Sequence, residues 1–406
     1  MNKSSNKFRH LVWPLVSLAL LLLFNAIFTD NFFKIEVKKS DSAQETVQPA
    51  SVPGNLPAAA GETAAQAEAA VQAAANEAEQ QAPAPKKESK GVSIFGYYLY
   101  GTPIDILNQG SKVMVLAIGM TLVIATGGID ISVGAVMAIA GAIAALLISM
   151  LDAGTCIGAG MGPSVYWIIP VLAALALATL AGFWNGMLVA GFGIQPMVAT
   201  LVLMVAGRGV AQLITDGQII TFDNPGLVFL CNGHALFLPF SVWIVVAMYV
   251  IAGLLTRKTA FGLFIESVGN TERANRYAGI EARRIKWLTY MICGFCAGVA
   301  GLLAASNIKC ADSNNAGLYL ELDAILATVI GGTSMAGGRF FLSGSLVGAI
   351  LIQTLTTTMY MKNVSPAIVA VPKAMVVIIV CLLQSPVFRA KVLSIFASKA
   401  AKGGVQ

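Results

Sequence analysis

Apolar runs of about 18 residues or more recur along almost the whole chain, and each is long enough to cross a bilayer as a helix. Of the 406 residues, 57% are hydrophobic and only 11% are charged, whereas about a quarter of the residues in a soluble domain are charged. We therefore predict an all-α polytopic membrane protein with about ten transmembrane helices. The predicted spans are 11–28, 111–126, 133–151, 165–190, 195–215, 239–256, 287–306, 323–337, 343–361 and 367–384.

The placement of lysine and arginine predicts how these helices are oriented. Basic residues cluster at the N-terminus, in the loop 257–286 and in the C-terminal tail. Short basic segments stay on the cytoplasmic side of a membrane. An even number of crossings, six before the loop and four after it, puts all three clusters on that side. The N- and C-termini are therefore both predicted to be cytoplasmic.

The sequence lacks the motifs that would make the chain an enzyme. The dipeptide Gly-Lys does not occur, which excludes a phosphate-binding P-loop. The only histidines are His10 and His234, too few for a metal cluster or a Ser-His-Asp set. Transport is favoured, with no metal and no nucleic acid as partner. A secondary transporter coupled to H⁺ or Na⁺ is the rival class, and Asp130 and Asp323 are its candidate acids.

The loop 257–286 is too polar to cross the membrane and too regularly patterned for a plain linker. Residues 267–278 suit a short amphipathic helix, and Gly279 is a suitable C-terminal stop. Glutamates and arginines alternate along it. Composition leaves two interpretations open: a charged loop that sets topology, or a docking element for a cytoplasmic partner.

The stretch IATGGIDISVGAVMAIAG at 124–141 places a helix break and a charge between two apolar runs. We predict that Gly127 and Gly128 break the helix, which is tolerated where the freed backbone lines a cavity or is buried in protein. Asp130 then either caps the next helix or lines a path, and its predicted position near the inner face favours capping. A similar Gly-Gly at 330–350 hints at an internal repeat.

Four separated motifs give the chain a resemblance to a known family. GMTLVIATGGIDISVGAVMAI at 119–139, IQPMVATLVLMVAGRGVAQLIT at 194–215 and ADSNNAGLYLELDAILATVIGGTSMAGGRF at 311–340 are similar to the signatures of sugar-type ABC importer permeases. The stretch GNTERANRYAGI at 269–280 resembles their coupling loop. Among ribose-, arabinose- and galactose-type members, the overall likeness is greatest to permease subunits of galactofuranose importers.

The resemblance implies a role and a set of partners. Such permeases pair as homo- or heterodimers in the bacterial inner membrane, above two cytoplasmic ATPase subunits and below a periplasmic sugar-binding protein. The chain would bind no cofactor itself, because ATP and Mg²⁺ belong to the ATPase. Its coupling residues would be Glu266, Gly269, Asn270, Arg273, Ala274, Gly279 and Ile280.

A neutral sugar needs planar amide or carboxylate groups for its hydroxyls and an aromatic face for its C–H side. Trp184 and Asn185 supply both kinds of group, and Gln195 begins the next predicted helix. We predict these three residues, with Asp130, as path residues. Packing between helices at neighbouring glycines is the alternative for the first three.

Arg208 and Lys373 are basic residues inside predicted spans, where an ionisable group is a functional candidate by default. The alternative is a buried pair with Asp323 or Glu321, or extension of the side chain towards the outer face. Since a neutral sugar needs no cation, the sequence favours the structural roles.

The chain departs from the family pattern in two places. Asn275 stands where relatives usually have a small apolar residue, which puts the pairing with the ATPase in question. Residues 36–91 are an insertion that relatives lack. The predicted domains are the basic N-terminus and first helix at 1–28, an Ala/Gln/Glu/Pro-rich periplasmic linker at 29–96, the transmembrane domain at 97–390 with the coupling loop 257–286, and a basic cytoplasmic tail at 391–406.

Overall fold

The computed structural model of the protein describes residues 3–29, 32–39, 97–152 and 167–364, together with 368–369, 371–375, 378 and 382. Most of the predicted linker, the tail and half of the last predicted span, 367–384, therefore lie outside the described residues. The helices are α1 Lys3–Phe28, α2 Thr102–Ala125, α3 Val133–Asp152, α4 Ile168–Gly186, α5 Pro196–Ile214, α6 Pro225–Asn232, α7 Phe240–Lys258, α8 Ala260–Asn270, α9 Glu272–Tyr277, α10 Ala282–Ile308, α11 Leu320–Ile330 and α12 Leu342–Met361.

Seven helices in the described part of the chain are long and apolar enough to cross a membrane. They are α2, α3, α4 with the π-helical turn Met187–Gly191, α5, α7, α10 and α12. Helix α1 contains Pro14, and its apolar part, Pro14–Ile27, is shorter than the others. The all-α polytopic prediction is confirmed, and seven of the ten predicted spans correspond to these helices.

The predicted span 323–337 is wrong. Helix α11 has only 11 residues, a length of about 16 Å, half of a hydrocarbon core of about 30 Å. It ends because Gly332 adopts a left-handed φ of 89°, a conformation that glycine reaches without steric cost. Residues 331–341 then form a loop that leads into α12.

Short strand pairs join the loops. Strand β1 (Glu36–Lys39) pairs antiparallel with β2 (Tyr97–Tyr100), so the two ends of the predicted linker lie side by side. At one end of the bundle, β3 (Ile220–Thr221) pairs with β6 (Cys310–Ala311). The hairpin β4 (His234–Ala235) and β5 (Leu238–Pro239) lies between α6 and α7. The segment 259–281 lies between α7 and α10.

Helix α10 is the centre of the bundle and packs against α2, α3 and α4. Small residues allow this close packing: a Cβ added to Gly294 would overlap Gly182 and the Ala178 carbonyl of α4. Without a hydrophobic driving force between helices in lipid, such close approach is a main source of helix association. The core that results positions the breaks between the helices.

Helices α2 and α11 end in the same way. Gly128 N–H donates to the Val123 carbonyl and Gly127 N–H to Ile124, at 3.1 and 2.9 Å. Thr333 and Gly332 make the equivalent bonds to Thr328 and Val329, also at 3.1 and 2.9 Å. Both ends are Schellman motifs, in which a left-handed residue closes the helix. The glycine pairs that suggested an internal repeat are therefore equivalent in structure, although the loops that follow them differ in length.

Candidate functional site

The predicted coupling loop folds into two helices instead of one. Helices α8 and α9 are separated by Thr271, which has φ −157° and ψ 98°. The prediction of a single helix over 267–278 is therefore wrong, because the helix is interrupted at Thr271. Its predicted end is confirmed: Gly279 has φ 77°, and Ile280 N–H donates to the Asn275 carbonyl at 2.9 Å. The segment buries one face and leaves the other open.

The exposed face of this segment carries most of the predicted coupling residues, but not Gly269 and Ile280. Glu266, Asn270, Arg273 and Ala274 are exposed, and the Tyr277 side chain beside them is 94% exposed. On the opposite face, Ile280 packs against a core that includes Ile265 and Val268. A row of exposed charged and aromatic side chains over a firm apolar base is suited to binding a partner protein.

Asn275 is buried between the two helices and does not face outwards. Its Nδ2 donates to the Thr271 carbonyl at 2.9 Å, and its Oδ1 accepts a hydrogen bond from the Ser267 hydroxyl. The amide therefore ties α9 to α8. These two hydrogen bonds explain why a polar residue can stand at this position, where the family pattern has a small apolar one.

Replacing Asn275 with alanine should loosen α9. The change leaves the Ser267 hydroxyl without its acceptor and removes a bond to Thr271, a loss of about 1–3 kcal/mol. We expect faster hydrogen exchange across 271–278 in the purified protein. Arg276→Ala, an exposed neighbour, is the control. Unchanged exchange in Asn275→Ala would show that the amide does not hold the helix.

Three backbone segments meet at glycines behind the coupling segment. A Cβ on Gly269 would overlap the Ala125 carbonyl and the Gly338 amide, and a Cβ on Gly337 would crowd Gly269 and Gly127. Gly338 N–H donates to the Ala125 carbonyl at 2.9 Å. We call these four glycines, 127, 269, 337 and 338, the glycine junction. It joins α8 to the C-terminal end of α2 and to the loop 331–341.

A cavity of about 470 Å³ lies beside the glycine junction. Gly269 and Asn270 line it from α8, and Ser334, Arg339 and Phe341 line it from the loop 331–341.

The break between α2 and α3 holds a buried polar cluster, which we call the helix-break cluster: Asp130, Ser132 and Asn185. Asp130 Oδ1 accepts hydrogen bonds from Ser132 N–H at 3.0 Å, Ser132 Oγ at 2.6 Å and Asn185 Nδ2 at 3.3 Å. Asn185 Nδ2 also donates to Ser132 Oγ at 2.8 Å. All three side chains are at most 1% exposed. The acid is stabilised by neutral donors and fixes the start of α3 against α4.

Two buried polar atoms near this cluster lack a hydrogen-bond partner among the described residues: Asn185 Oδ1 and Tyr290 Oη. The Tyr290 hydroxyl packs beside Gly128, where an added Cβ would overlap it. A buried polar atom without a hydrogen-bond partner lowers the stability of the folded protein. Water or the hydroxyls of a passing ligand would satisfy both atoms.

The predicted path residues divide into two groups. Asp130 and Asn185 come together in the helix-break cluster. Trp184 is 51% exposed on the outer surface of α4, and Gln195 is exposed at the N-cap position of α5 without a capping hydrogen bond from its side chain. The structure does not bring Trp184 and Gln195 to the cluster.

The two basic residues within spans have protein partners. Lys373 Nζ lies 2.8 and 3.1 Å from the carboxylate oxygens of Asp323, one of the predicted pairs. Arg208 does not pair with a carboxylate in this way: its guanidinium donates to the carbonyls of Ala316 and Ser313, at 2.5 and 3.4 Å. Lys373 thus links the last predicted span to α11, and Arg208 links α5 to the loop between β6 and α11.

Sequence reasoning missed Ser132, Tyr290 and the glycines 337 and 338. An aspartate in a turn often accepts a hydrogen bond from the backbone N–H two residues later. Ser132 stands two residues after Asp130, so the sequence contained a signal for this contact. Tyr290 and the glycines belong to the site only through contacts between distant segments, and nothing local marks them.

Comparison with known proteins identifies the class. The profile of the family described as "Branched-chain amino acid transport system / permease component" matches residues 102–383. The chain belongs to this family of ABC importer permeases. No solved structure matches it.

Similar proteins are import permeases from several bacteria. The chain is 54% identical to the galactofuranose transporter permease protein of Escherichia coli strain K12, over 71% of this chain and 81% of the relative. It is 41% identical to the fructose import permease of Bifidobacterium longum, over 71% and 78%. It is 35% identical to a ribose import permease of Haemophilus influenzae, over 69% and 83%. The family resemblance predicted from the motifs is confirmed.

Family membership settles what kind of molecule this is. The protein is a multi-pass permease component of the bacterial inner membrane and is not itself an enzyme. An ABC importer permease works with an ATPase and a binding protein.

Proposed function

We propose that the protein carries a sugar, galactofuranose or a related pentose or hexose, across the inner membrane. Under this proposal a cytoplasmic ATPase binds the exposed face of α8 and α9, with Glu266, Asn270 and Arg273 in contact. A periplasmic sugar-binding protein delivers the sugar at the opposite end of the bundle. A second permease subunit, identical or related, completes the path.

The glycine junction is the observation that supports this proposal best. Gly269 lies on the proposed coupling segment, and its backbone touches the end of α2 and the loop 331–341 without intervening side chains. Backbone contact of this kind passes a displacement directly, since no flexible side chain can absorb it. Movement of α8 by the ATPase would therefore shift the two helix breaks, including the segment that holds Asp130.

In this mechanism the helix-break cluster forms part of the sugar path. Asp130 and Ser132 orient Asn185. Asn185 Oδ1 and Tyr290 Oη have no partner among the described residues; Oδ1 accepts a hydrogen bond from a sugar hydroxyl, and Oη accepts or donates one. Gly127 and Gly128 allow the backbone to rearrange between outward- and inward-open states.

Reversing one charge on the coupling face tests the ATPase contact. In Arg273→Glu, an exposed side chain changes while the fold is kept, and we expect the ATPase to be lost when the tagged chain is purified in mild detergent. Gln218→Glu, which adds one negative charge at the opposite end of the bundle, is the control and should keep it. If the ATPase remains bound to Arg273→Glu at the level of the unaltered protein, this face is not the docking site.

A further inference from the structure

A second cavity lies at the end of the bundle opposite the coupling segment. It has a volume of about 170 Å³, is partly open, and is lined by α2, α3, α10, β6, the loop that follows β6 and the start of α11. A cavity of about 150 Å³ is known to accept a six-membered carbon ring. The space is therefore sufficient for the ring of one monosaccharide, and the lining residues differ from those of the helix-break cluster.

A fixed ammonium group lines the cavity on one side. Lys112 Nζ donates to Gln109 Oε1 at 2.8 Å, and the same oxygen accepts from Asn307 Nδ2 at 2.8 Å. A lysine ammonium has three N–H donors. One N–H positions Lys112, and within the described part of the chain the other two have no acceptor and can serve a ligand.

A fixed carboxylate lines the cavity from the loop. Asp312 Oδ1 accepts from the backbone N–H groups of Asn314 and Asn315, and Oδ2 accepts from Asn315 Nδ2 at 2.8 Å. Burial opposes ionisation, but the hydrogen bonds from Asn315 and Asn314 and the positive charge of Arg208 together lower the pKa of Asp312. The group is an acceptor of hydrogen bonds at neutral pH.

The rest of the wall is apolar: most of its residues are small, such as Gly141 and Ala305, and the larger Met137, Ile308 and Leu320 complete it. An anion would be repelled by Asp312 and a cation by Lys112, so this pair favours a neutral ligand with both donors and acceptors. A polyhydroxyl ring has these properties, and its C–H face fits against glycine and alanine.

We propose that this cavity is a sugar-binding station within a single permease subunit. The Lys112 ammonium donates to one sugar hydroxyl, the Asp312 carboxylate accepts from another, and the Gly141 wall receives the ring. The inference rests on the proposed function and adds a site through which the sugar passes before it reaches the helix-break cluster.

Filling the cavity tests the proposal. A Cβ added to Gly141 meets its nearest atoms, Ala305 Cβ and the Gly301 carbonyl, at 3.6 Å, so Gly141→Ala is accommodated and Gly141→Val occupies more of the space. Gly209 has no atom within 4 Å of an added Cβ among the described residues. Gly209→Ala and Gly209→Val are the matched controls.

The assay is uptake of radiolabelled D-galactose and D-ribose by the complete transporter in proteoliposomes, with the amount of assembled complex measured. We expect uptake to fall by about tenfold or more in Gly141→Val, Lys112→Met and Asp312→Asn, with a smaller fall in Gly141→Ala. The complex should assemble normally, and both Gly209 variants should transport at the unaltered rate.

Cys310 gives a second measurement that does not depend on transport. It is a free, half-buried thiol on the cavity wall. Either sugar should slow its modification by a small methanethiosulfonate reagent, and Cys310→Ser gives the background from the other cysteines. If the unaltered complex takes up sugar but the three cavity variants do so equally well and Cys310 is not protected, this inference is overturned and the proposed function stands. If the unaltered complex takes up no sugar, the proposed function fails, and this inference fails with it.

Discussion

Replacing Gly269 with valine should reduce sugar uptake by about tenfold or more. The new side chain would overlap the Ala125 carbonyl and the Gly338 amide. This overlap forces α8 away from the C-terminal end of α2 and from the loop 331–341. Strain of this kind costs about 1–3 kcal/mol. If it falls on the conformation that couples α8 to the helix breaks, about 1.4 kcal/mol lowers the population of that conformation tenfold. Because the exposed face of α8 is unchanged, the ATPase should still bind. Uptake and ATP hydrolysis by the purified complex measure the two effects separately.

Gly253→Val is the control for this experiment. Gly253 lies on α7, and no described atom comes within 4 Å of a Cβ added there. It should insert, assemble and transport like the unaltered protein. Normal uptake by Gly269→Val would mean that the glycine junction does not carry the movement of the coupling segment.

Asn185→Leu should destabilise the protein and remove most of its uptake. The side chain is similar in size, but the change removes the Nδ2 donor that bonds both Asp130 and Ser132. A buried group that loses its partner costs about 1–3 kcal/mol, and more when the group is charged. We expect a lower melting temperature in detergent, and a fall in uptake that persists when equal amounts of folded complex are compared.

Trp184→Leu is the neighbouring control, because Trp184 points away from the helix-break cluster and is 51% exposed. It should leave both stability and uptake close to normal. The opposite result, with Trp184→Leu inactive and Asn185→Leu active, would move the sugar path from the cluster to the exposed surface of α4.

Much of the architecture could be predicted from the sequence, because lipid imposes strong local rules. A helix must satisfy its own backbone hydrogen bonds in hydrocarbon, so apolar runs such as 133–151 and 343–361 predicted α3 and α12 within a residue or two. The stops at Gly127 and Gly279 were predictable for a similar reason, since glycine adopts the left-handed conformation that closes a helix.

The errors arose where contacts between distant segments decide the outcome. The apolar run 323–337 reads as a span, but Gly332 and the packing of the loop 331–341 against α8 end α11 at Ile330. From the sequence, Asn275 was a departure from the family pattern that put the pairing with the ATPase in question. In the structure, the break at Thr271 buries Asn275 between α8 and α9.

The sequence by itself determined the membrane class, most of the spans and the family, because these depend on hydrophobic length, charge placement and local motifs. Only the tertiary structure decided that Asp130 meets Asn185 across 55 positions of the chain, or that Gly269 touches Ala125 and Gly338. It also decided that Lys112 and Asp312 line one cavity. Hydrophobic length and helix stops act within a few residues, whereas the partner of a buried polar group is fixed by how the helices pack.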